Sequence, residues 1–471
     1  MARKKPNFIL IMTDQHRGDC LSLENHPVLL TPNIDYIGGQ GVHFARAYTT
    51  CPSCIPARRS LMVGQYPATH GLVGYHDGLE WQAPATLPEV LKTAGYQTFL
   101  VGRNMHLWPR RKRYGFDEMV IWQEDYFSFL SSQHLTRDDC YGHGISANGW
   151  TARPWHLDEK FHPTTWTITE ALHFLERRDP SCPFFLVISF IAPHPPLTPP
   201  AFYLERYLRC KIPLPYLGEW ASPPEKNGKG SHVAADRVNL TGEALISARA
   251  GYYGLINHID DQIYRLYDAL KGEIRQNTYL LFTSDHGEML GDHYLFRKCY
   301  PYEGSVRIPF LICGPEIESG QQVFYPVCLE DIMPTVLQLA EVPVPETVEG
   351  QSLIPILRGE KKKLEREYLH GEHASCYSYH QANHFLTDGK EKYCWFPATG
   401  KEQLFDLTQD PGEIHDLATD SRFQERVVFW RKKLIETLKG RPEGFTDGKR
   451  LIPGRPHQAC LPHVSGPVLS G

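Results

Sequence analysis

A candidate reactive cysteine lies early in the chain. Cys54, Pro56 and Arg58 form a Cys-x-Pro-x-Arg arrangement, and Gly64 follows ten residues after the cysteine. Cys51 precedes them by three residues but lacks both the proline at plus two and the arginine at plus four. Two cysteines at this spacing are also typical of half a zinc site or of a redox pair. No second Cys/His pair lies nearby, which argues against zinc, while the redox alternative stays open.

Four potential metal ligands follow two apolar runs. Asp14 and Gln15 come after a run near the N-terminus, and Asp285 and His286 come after a similar run in the second half. Either pair alone is also common at helix caps and turns. Because polar groups collect past the carboxyl ends of parallel strands, the four together predict a divalent metal site. Carboxylates favour calcium or magnesium, and the imidazole and amide would also suit manganese or zinc.

Short, wholly apolar runs are typical of strands buried on both faces of a parallel sheet. They occupy residues 7–12, 97–101, 184–190 and 278–283, with helical patterns between them. The order predicts an α/β fold in which a large, mostly parallel sheet is sandwiched by helices. His106 and His194 also follow such runs. We expect residues 58–62 to open a helix whose N-terminus stabilises negative charge on residue 54.

The pattern changes after about residue 360. Alternating runs between residues 384 and 407 predict a small antiparallel sheet, and a helix with one apolar stripe follows. We therefore predict a catalytic domain over residues 1–360 and a C-terminal α+β subdomain over residues 361–471, which ends in an extended tail. The irregular, aromatic stretch at residues 108–163 predicts insertion loops that shape a substrate pocket.

Composition limits the function. The chain has 471 residues, of which 41% are hydrophobic and 22% charged, as in an ordinary globular enzyme. Its net charge of -5 argues against a general nucleic-acid binder. The 12 cysteines lack the dense spacing of a disulfide scaffold, so we expect reduced thiols. The first apolar run is too short for a signal peptide and no run suits a transmembrane helix, which predicts a cytoplasmic protein that binds neither membrane nor nucleic acid.

The motifs resemble those of the type I sulfatases, which depend on formylglycine and belong to the alkaline phosphatase superfamily. Besides the cysteine motif, the matching stretches are Gly291-Asp292-His293, Phe296-Arg297-Lys298, Tyr302-Glu303, Asp331-Ile332-Met333-Pro334-Thr335 and Leu404-Phe405-Asp406-Leu407 with Asp410-Pro411. They keep the family's order and extend over residues 7–417. The Asp-Gln and Asp-His pairs are similar to the branch that includes choline sulfatases and phosphonate monoester hydrolases.

The resemblance implies a role for each site residue. The family's cysteine is oxidised to formylglycine, whose hydrate attacks sulfur and later expels sulfate as the aldehyde returns. The implied catalytic residues are Cys54, Arg58, His106, His194 and Lys298. The implied metal ligands are Asp14, Gln15, Cys54, Asp285 and His286, around Ca²⁺ or alternatively Mn²⁺ or Mg²⁺. The implied substrate-binding residues are Arg103, Lys298, His194 and Trp108.

One stretch departs from the family pattern. Where the family has Gly-Lys-x-His after the strand near residue 100, this chain has Gly102-Arg103-Asn104-Met105-His106. An arginine replaces the lysine, and one residue is added. We expect His106 to keep its role as a proton acceptor and Arg103 to supply the fixed positive charge.

The resemblance implies a sulfatase that hydrolyses an O-sulfate ester on a small carbohydrate, with arylsulfatase activity on simple aryl esters. A phosphonate monoester or phosphodiester hydrolase of the same fold is the alternative. A sugar-binding protein without catalysis is a further alternative, which would keep Cys54 unmodified and hold no metal. The expected partners are a sulfated small molecule or oligosaccharide, a formylglycine-generating maturation enzyme and a second copy of the chain in a homo-oligomer.

Overall fold

The computed structural model describes residues 4–224 and 232–464. Its strands in chain order are β1 (Asn7–Asp14), β2 (Val42–Phe44), β3 (Ala47–Tyr48), β4 (Gln97–Gly102), β5 (Glu118–Ile121), β6 (Phe184–Pro193), β7 (Thr278–Ser284), β8 (Arg307–Ile308), β9 (Phe310–Cys313), β10 (Gln321–Val323), β11 (Val327–Cys328), β12 (Leu369–His373), β13 (Asn383–Thr387), β14 (Glu391–Phe396) and β15 (Lys401–Asp406). Its α-helices are α1 (Pro32–Gly39), α2 (Cys54–Val63), α3 (Pro67–His70), α4 (Leu87–Thr93), α5 (Phe127–Ser132), α6 (Arg137–Tyr141), α7 (Pro163–Arg177), α8 (Ala201–Leu208), α9 (Gly242–Ala269), α10 (Gly272–Gln276), α11 (Glu303–Val306), α12 (Ile332–Leu339), α13 (Ile354–Leu357) and α14 (Gln424–Thr437).

The first apolar run lies at the centre of an eight-stranded sheet. The strand order is β10-β2-β9-β7-β1-β6-β4-β5. β1 pairs in parallel with β6 and with β7, and β4 pairs in parallel with β6 and with β5. β9 is antiparallel to both of its neighbours, β2 and β7. The prediction of a large, mostly parallel sheet is therefore confirmed.

Helices cover both faces of this sheet. Phe8, Leu10 and Met12 of β1 join a core with residues of α2, α4 and α12. Ile9 and Ile11 point to the other face and join a core with residues of α1, α7 and α9. Because both faces of the strand are buried, an unbroken apolar run is what its position requires.

A four-stranded antiparallel sheet, β12-β13-β14-β15, forms the C-terminal region as predicted. Val427, Trp430 and Leu434 of α14 pack on one of its faces. The other face contacts Tyr302 and Val306 beside the large sheet. The small sheet therefore packs directly against the region of the large sheet. The domain boundary near residue 360 stays a prediction.

Helix α2 begins at Cys54 and not at Arg58, so the predicted helix start was wrong. Ser53 precedes it in an extended conformation, with φ -154° and ψ 153°. Pro56 is tolerated in the first turn because the amide groups there have no acceptor within the helix. The consequence is that Cys54 is itself the first helical residue.

One other prediction needs correction. The insertion at residues 108–163 is not only loops, because it contains β5, α5 and α6, and its buried Tyr126 and Trp155 belong to a small core of their own. The described part of the predicted tail lies against the body, since Cys460 forms a β-bridge with Leu72. Residues 465–471 of the predicted tail lie outside the described residues. Within the described part of the chain, no helix is long and apolar enough to cross a membrane.

Candidate active site

Three elements bring the reactive cysteine and the predicted ligands together. β1 and β7 are parallel neighbours with Thr13 opposite Ser284, so the acids that follow lie at one edge of the sheet. Cys54 Sγ lies 3.8 Å from Asp14 Oδ1 and 3.2 Å from His286 Nε2. One donor atom each from Asp14, Cys54, Asp285 and His286 lies within 4.8 Å of all the others. We call these four buried residues the active centre.

Arg58 lies beneath the active centre. Its Nε donates to Asp285 Oδ2 at 2.8 Å and its Nη2 to Asp14 Oδ2 at 3.0 Å. Its Nη1 donates to Ser189 Oγ at 2.9 Å, a contact that sequence reasoning missed. Arg58 is fully buried. Asp14 Oδ1 faces Cys54, and Asp285 Oδ1 accepts from the backbone amides of Gln15 at 3.1 Å and His286 at 2.9 Å. This placement favours positioning of the carboxylates over contact between Arg58 and a sulfate group.

The donor set fits a divalent cation. The His286 ring has Nδ1 2.9 Å from the Gly287 carbonyl oxygen, so Nδ1 carries the proton and Nε2 is left as a ligand. That Nε2 lies 3.6 Å from Asp285 Oδ1 and 3.9 Å from Asp14 Oδ1. Two carboxylate oxygens and one imidazole nitrogen that converge in a buried place are a set that calcium, magnesium or manganese accepts.

Gln15 lies beside these donors. Its Oε1 accepts a hydrogen bond from Lys298 Nζ at 2.7 Å, and its Nε2 donates to Glu288. The amide is thus bonded to protein on both sides, and its role as a metal ligand stays a prediction. Glu288 was missed by sequence reasoning, although it follows Asp285 by only three residues and so lies in the same strand-end loop.

Arg103 and His106 reach the site through an unusual turn. A Cβ on Gly102, whose φ is 95°, would lie 2.1 Å from the Ser189 carbonyl oxygen, so only glycine fits there. Arg103 Nη1 then pairs with Asp14 Oδ2 at 2.7 Å. Met105 and His106 both adopt left-handed backbone conformations, with φ 59° and 54°, which accommodates the additional residue.

The charges around Asp14 keep it ionised. Burial opposes ionisation, but Arg103 and Arg58 together hold the pKa of Asp14 well below its usual value. Burial and the nearby Asp14 carboxylate raise the pKa of the Cys54 thiol to about 11. The unmodified cysteine is therefore a neutral thiol in this environment.

The two predicted catalytic histidines are neutral for the same reason. Burial lowers the pKa of His106 and of His194 well below the usual value, and Arg103 and Lys298 add to the effect. His106 Nε2 is buried and has no partner among the described residues. His194 Nδ1 lies 2.7 Å from the Pro195 carbonyl oxygen and carries the ring proton, so its Nε2 is an acceptor.

A cavity of about 470 Å³ opens over Cys54. Arg103, His106, His194 and Lys298, all predicted as site residues, line it. Trp108, predicted as substrate-binding, is not among the described lining residues, and it is 39% exposed. The aromatic wall consists instead of Tyr75, Trp122, Tyr141, Trp155 and Tyr377. The sequence indicated an aromatic insertion here but could not tell which of its rings turn inward.

The fold resembles solved hydrolases and places the protein in the alkaline phosphatase superfamily. The phosphonate monoester hydrolase of Agrobacterium radiobacter superposes with a TM-score of 0.79 at 26% identity, over 92% of this chain and 95% of that one. A protein solved with its substrate D-glucosamine-2-N,6-O-disulfate superposes with a TM-score of 0.74 at 22% identity, over 93% of this chain and 98% of that one. The second likeness concerns the fold alone.

The family match is more specific. The family model described as Sulfatase matches residues 6–342, and that of the N-sulphoglucosamine sulphohydrolase C-terminal region matches residues 291–440. The arylsulfatase of Clostridium perfringens is 41% identical over 98% of this chain and 100% of its own length. The chain belongs to the sulfatase family. It is accordingly a sulfuric ester hydrolase, and the phosphonate monoester hydrolase is a neighbour in fold.

Proposed function

We propose that the enzyme hydrolyses an O-sulfate ester of a small carbohydrate, with formylglycine formed at position 54 and a divalent cation, most simply Ca²⁺, held at the active centre. The observation that carries the proposal is the position of Cys54, which lies among three buried ligands, at the first turn of α2, and lines the cavity. The match of residues 291–440 to the family model of the N-sulphoglucosamine sulphohydrolase C-terminal region supports a sulfated sugar as the substrate class.

Each residue of the active centre has a part in this proposal. Asp14, Asp285 and His286 would hold the cation. Gln15, predicted from the sequence as a further ligand, lies beside them with its amide oxygen bonded to Lys298. When present, the cation would acidify a hydroxyl of the hydrated formylglycine, which supplies the nucleophile. The positive end of α2 adds to the potential at residue 54.

Lys298 and Arg103 are suited to bind the charged end of the ester. Both line the cavity, and both are anchored, Lys298 to the Gln15 amide and Arg103 to Asp14. Anchored cations stabilise the charge that develops on the sulfuryl oxygens without having to move during the reaction. Arg58 would act one layer below, by holding Asp14 and Asp285 in place.

The two proton transfers of the reaction are assigned to different side chains. His106, neutral and with Nε2 unbonded, is suited to accept the proton whose loss expels sulfate. His194 offers only an acceptor at Nε2 in this protonation state, so Lys298 is the better donor to the leaving oxygen. Burial lowers the pKa of Lys298, but acidic neighbours, with Asp14 among them, outweigh it and raise the pKa above its usual value, so Lys298 holds a proton.

The test begins with protein coexpressed with a formylglycine-generating enzyme. The tryptic peptide of residues 47–58 contains both Cys51 and Cys54, so fragment masses must locate the change. We expect a loss of about 18 Da at residue 54, as a thiol becomes an aldehyde. Release of sulfate from nitrophenyl sulfate should then exceed release of phosphonate from the matched ester.

Two variants complete this test. Cys54→Ala should lower kcat by at least about a thousandfold because it removes the nucleophile. Cys51→Ala, in the neighbouring buried cysteine, should keep both the modification and the activity. An unmodified Cys54 with no turnover, despite a working maturation enzyme, would contradict the proposal.

A further inference from the structure

The charged residues that line the cavity all have one sign. Among the described lining residues, Arg103, Arg297 and Lys298 are cations and none is an aspartate or glutamate. Two of the three are committed to the active centre, because Arg103 pairs with Asp14 and Lys298 donates to Gln15. Arg297 is the cation whose role the reaction does not explain.

Arg297 is fixed by hydrogen bonds but forms no ion pair with the described residues. Its Nε donates to the Asn148 carbonyl oxygen at 3.3 Å, and its Nη2 donates to the Ala234 carbonyl oxygen. Its guanidinium carbon lies 5.4 Å from the centre of the Tyr377 ring. Within residues 4–224 and 232–464, no carboxylate lies within ion-pair distance of it, whereas Asn148 and Tyr377 line the same cavity.

This arrangement suits recognition of an anion. A guanidinium has five N–H donors, and the two carbonyl contacts use two of them. The remaining donors can bind two oxygens of a sulfate or a carboxylate in parallel. Because the backbone carbonyls and the ring already fix the group, little side-chain entropy is lost when an anion binds.

We propose that Arg297 binds a second anionic group of the substrate, a sulfate or a carboxylate on the same sugar, while the active centre holds the ester that is cleaved. The proposal rests on the proposed function, since it takes the substrate to be a sulfated sugar. It narrows the substrate class to sugars with at least two negative charges.

Binding to an inactive protein tests this without relying on turnover. Calorimetry with the full-length Cys54→Ala protein and Ca²⁺ compares N-sulfoglucosamine 6-sulfate with N-acetylglucosamine 6-sulfate, which has one charge fewer. We expect the disulfated sugar to bind more tightly, and Arg297→Gln to lower that preference by about tenfold, the worth of a charged hydrogen-bonded pair. A second comparison uses a sulfated uronic acid and the sulfated hexose that lacks its carboxylate. A preference for the uronic acid that depends on Arg297 would identify a carboxylate, in place of a second sulfate, as the group that Arg297 binds.

Arg237→Gln is the matched control. Arg237 lies near Arg297, since it forms a β-bridge with Leu295, but it is absent from the described cavity lining. Arg237→Gln removes the same charge as Arg297→Gln but from outside the cavity, so it should leave the preference for the disulfated sugar unchanged. Arg297→Lys should keep only part of that preference, because lysine lacks the planar fork of the guanidinium. An equal preference in Arg297→Gln and Arg237→Gln would overturn the proposal. Failure of the matured wild type to release sulfate would instead count against the proposed function, because the binding ratio is measured independently.

Discussion

Two buried clusters of acids and histidines lie in different regions of the molecule. One is the active centre, and the other consists of Glu372, His384 and His457, which we call the C-terminal cluster. In both, the potential metal-binding atoms lie within 4.8 Å of one another. An arginine also pairs with the acids of each cluster, Arg58 at the active centre and Arg441 at the C-terminal cluster. Residue type and proximity alone therefore do not distinguish a metal centre from a structural network.

The geometry of the arginine separates them. Arg58 binds one oxygen of each of two carboxylates. The second oxygen of Asp14 faces Cys54, and the second oxygen of Asp285 accepts only from the backbone amides of Gln15 and His286. Arg441 instead takes both oxygens of Glu372, at 2.7 and 2.8 Å. The rings of His384 and His457 are stacked face to face, with centroids 4.9 Å apart and planes at 7°. Because the two planes are nearly parallel, the in-plane lone pairs of the two rings do not converge on one point. We interpret the C-terminal cluster as a structural network that joins the tail to the small sheet.

The largest effect on stability is expected from a substitution that breaks the C-terminal cluster. Glu372→Gln leaves the Arg441 charge, whose side chain is 10% exposed, with Glu443 as its remaining partner. We expect the free energy of unfolding to fall by about 3 kcal/mol, because the buried guanidinium loses the bidentate one of its two carboxylate partners. Urea denaturation measures this, and the calcium content should not change.

Glu80→Gln is the control for that measurement. Glu80 pairs with Lys112 at the surface, where an ion pair contributes little, so the change should stay within about 0.5 kcal/mol. If Glu372→Gln were as mild as Glu80→Gln, the structural interpretation of the C-terminal cluster would fail.

The second prediction concerns the active centre. Asp285→Asn should weaken calcium binding by at least about 100-fold, equal to about 2.7 kcal/mol, because an ionised ligand becomes a neutral amide. Equilibrium dialysis followed by elemental analysis measures the bound ion. Calcium retained by Asp285→Asn but lost from Glu372→Gln would reverse the assignment of the two clusters.

The active centre was largely predictable because its signals are local. An unbroken apolar run predicts a doubly buried strand, and the polar residue that ends it must then lie at the sheet edge. Asp14 and Asp285 follow such runs directly, so their approach follows from two strands being neighbours. The cysteine motif located the third element, although the helix start was misplaced because Pro56 looks unfavourable unless it lies in the first turn.

The C-terminal cluster had no comparable signal. Glu372, His384 and His457 come from two strands and a tail, with no periodicity or spacing that links them. The inward rings of the cavity were equally hidden. Trp108 and Trp122 both lie in the aromatic insertion, and only the path of the chain decides that Trp122 lines the cavity. Ser189 could not be paired with Arg58 either, because the two meet only when β6 and α2 pack.

The smallest effect is the acid sensitivity of His370, which lies beside the C-terminal cluster. Burial lowers the pKa of His370, whose Nε2 lies 3.1 Å from His384 Nδ1, to about 4. The unfolded chain binds a proton there below its usual pKa of 6.5, whereas the folded protein does not until about pH 4. The folded state is therefore destabilised as the pH falls through this window, by about 2 kcal/mol at pH 5. Urea midpoints at pH 7 and 5 measure the loss. His370→Gln, which cannot titrate but can still hydrogen-bond, should lose correspondingly less; an identical loss in this variant would mean that the acid sensitivity arises elsewhere, with the active centre and its ionised carboxylates as the next place to look.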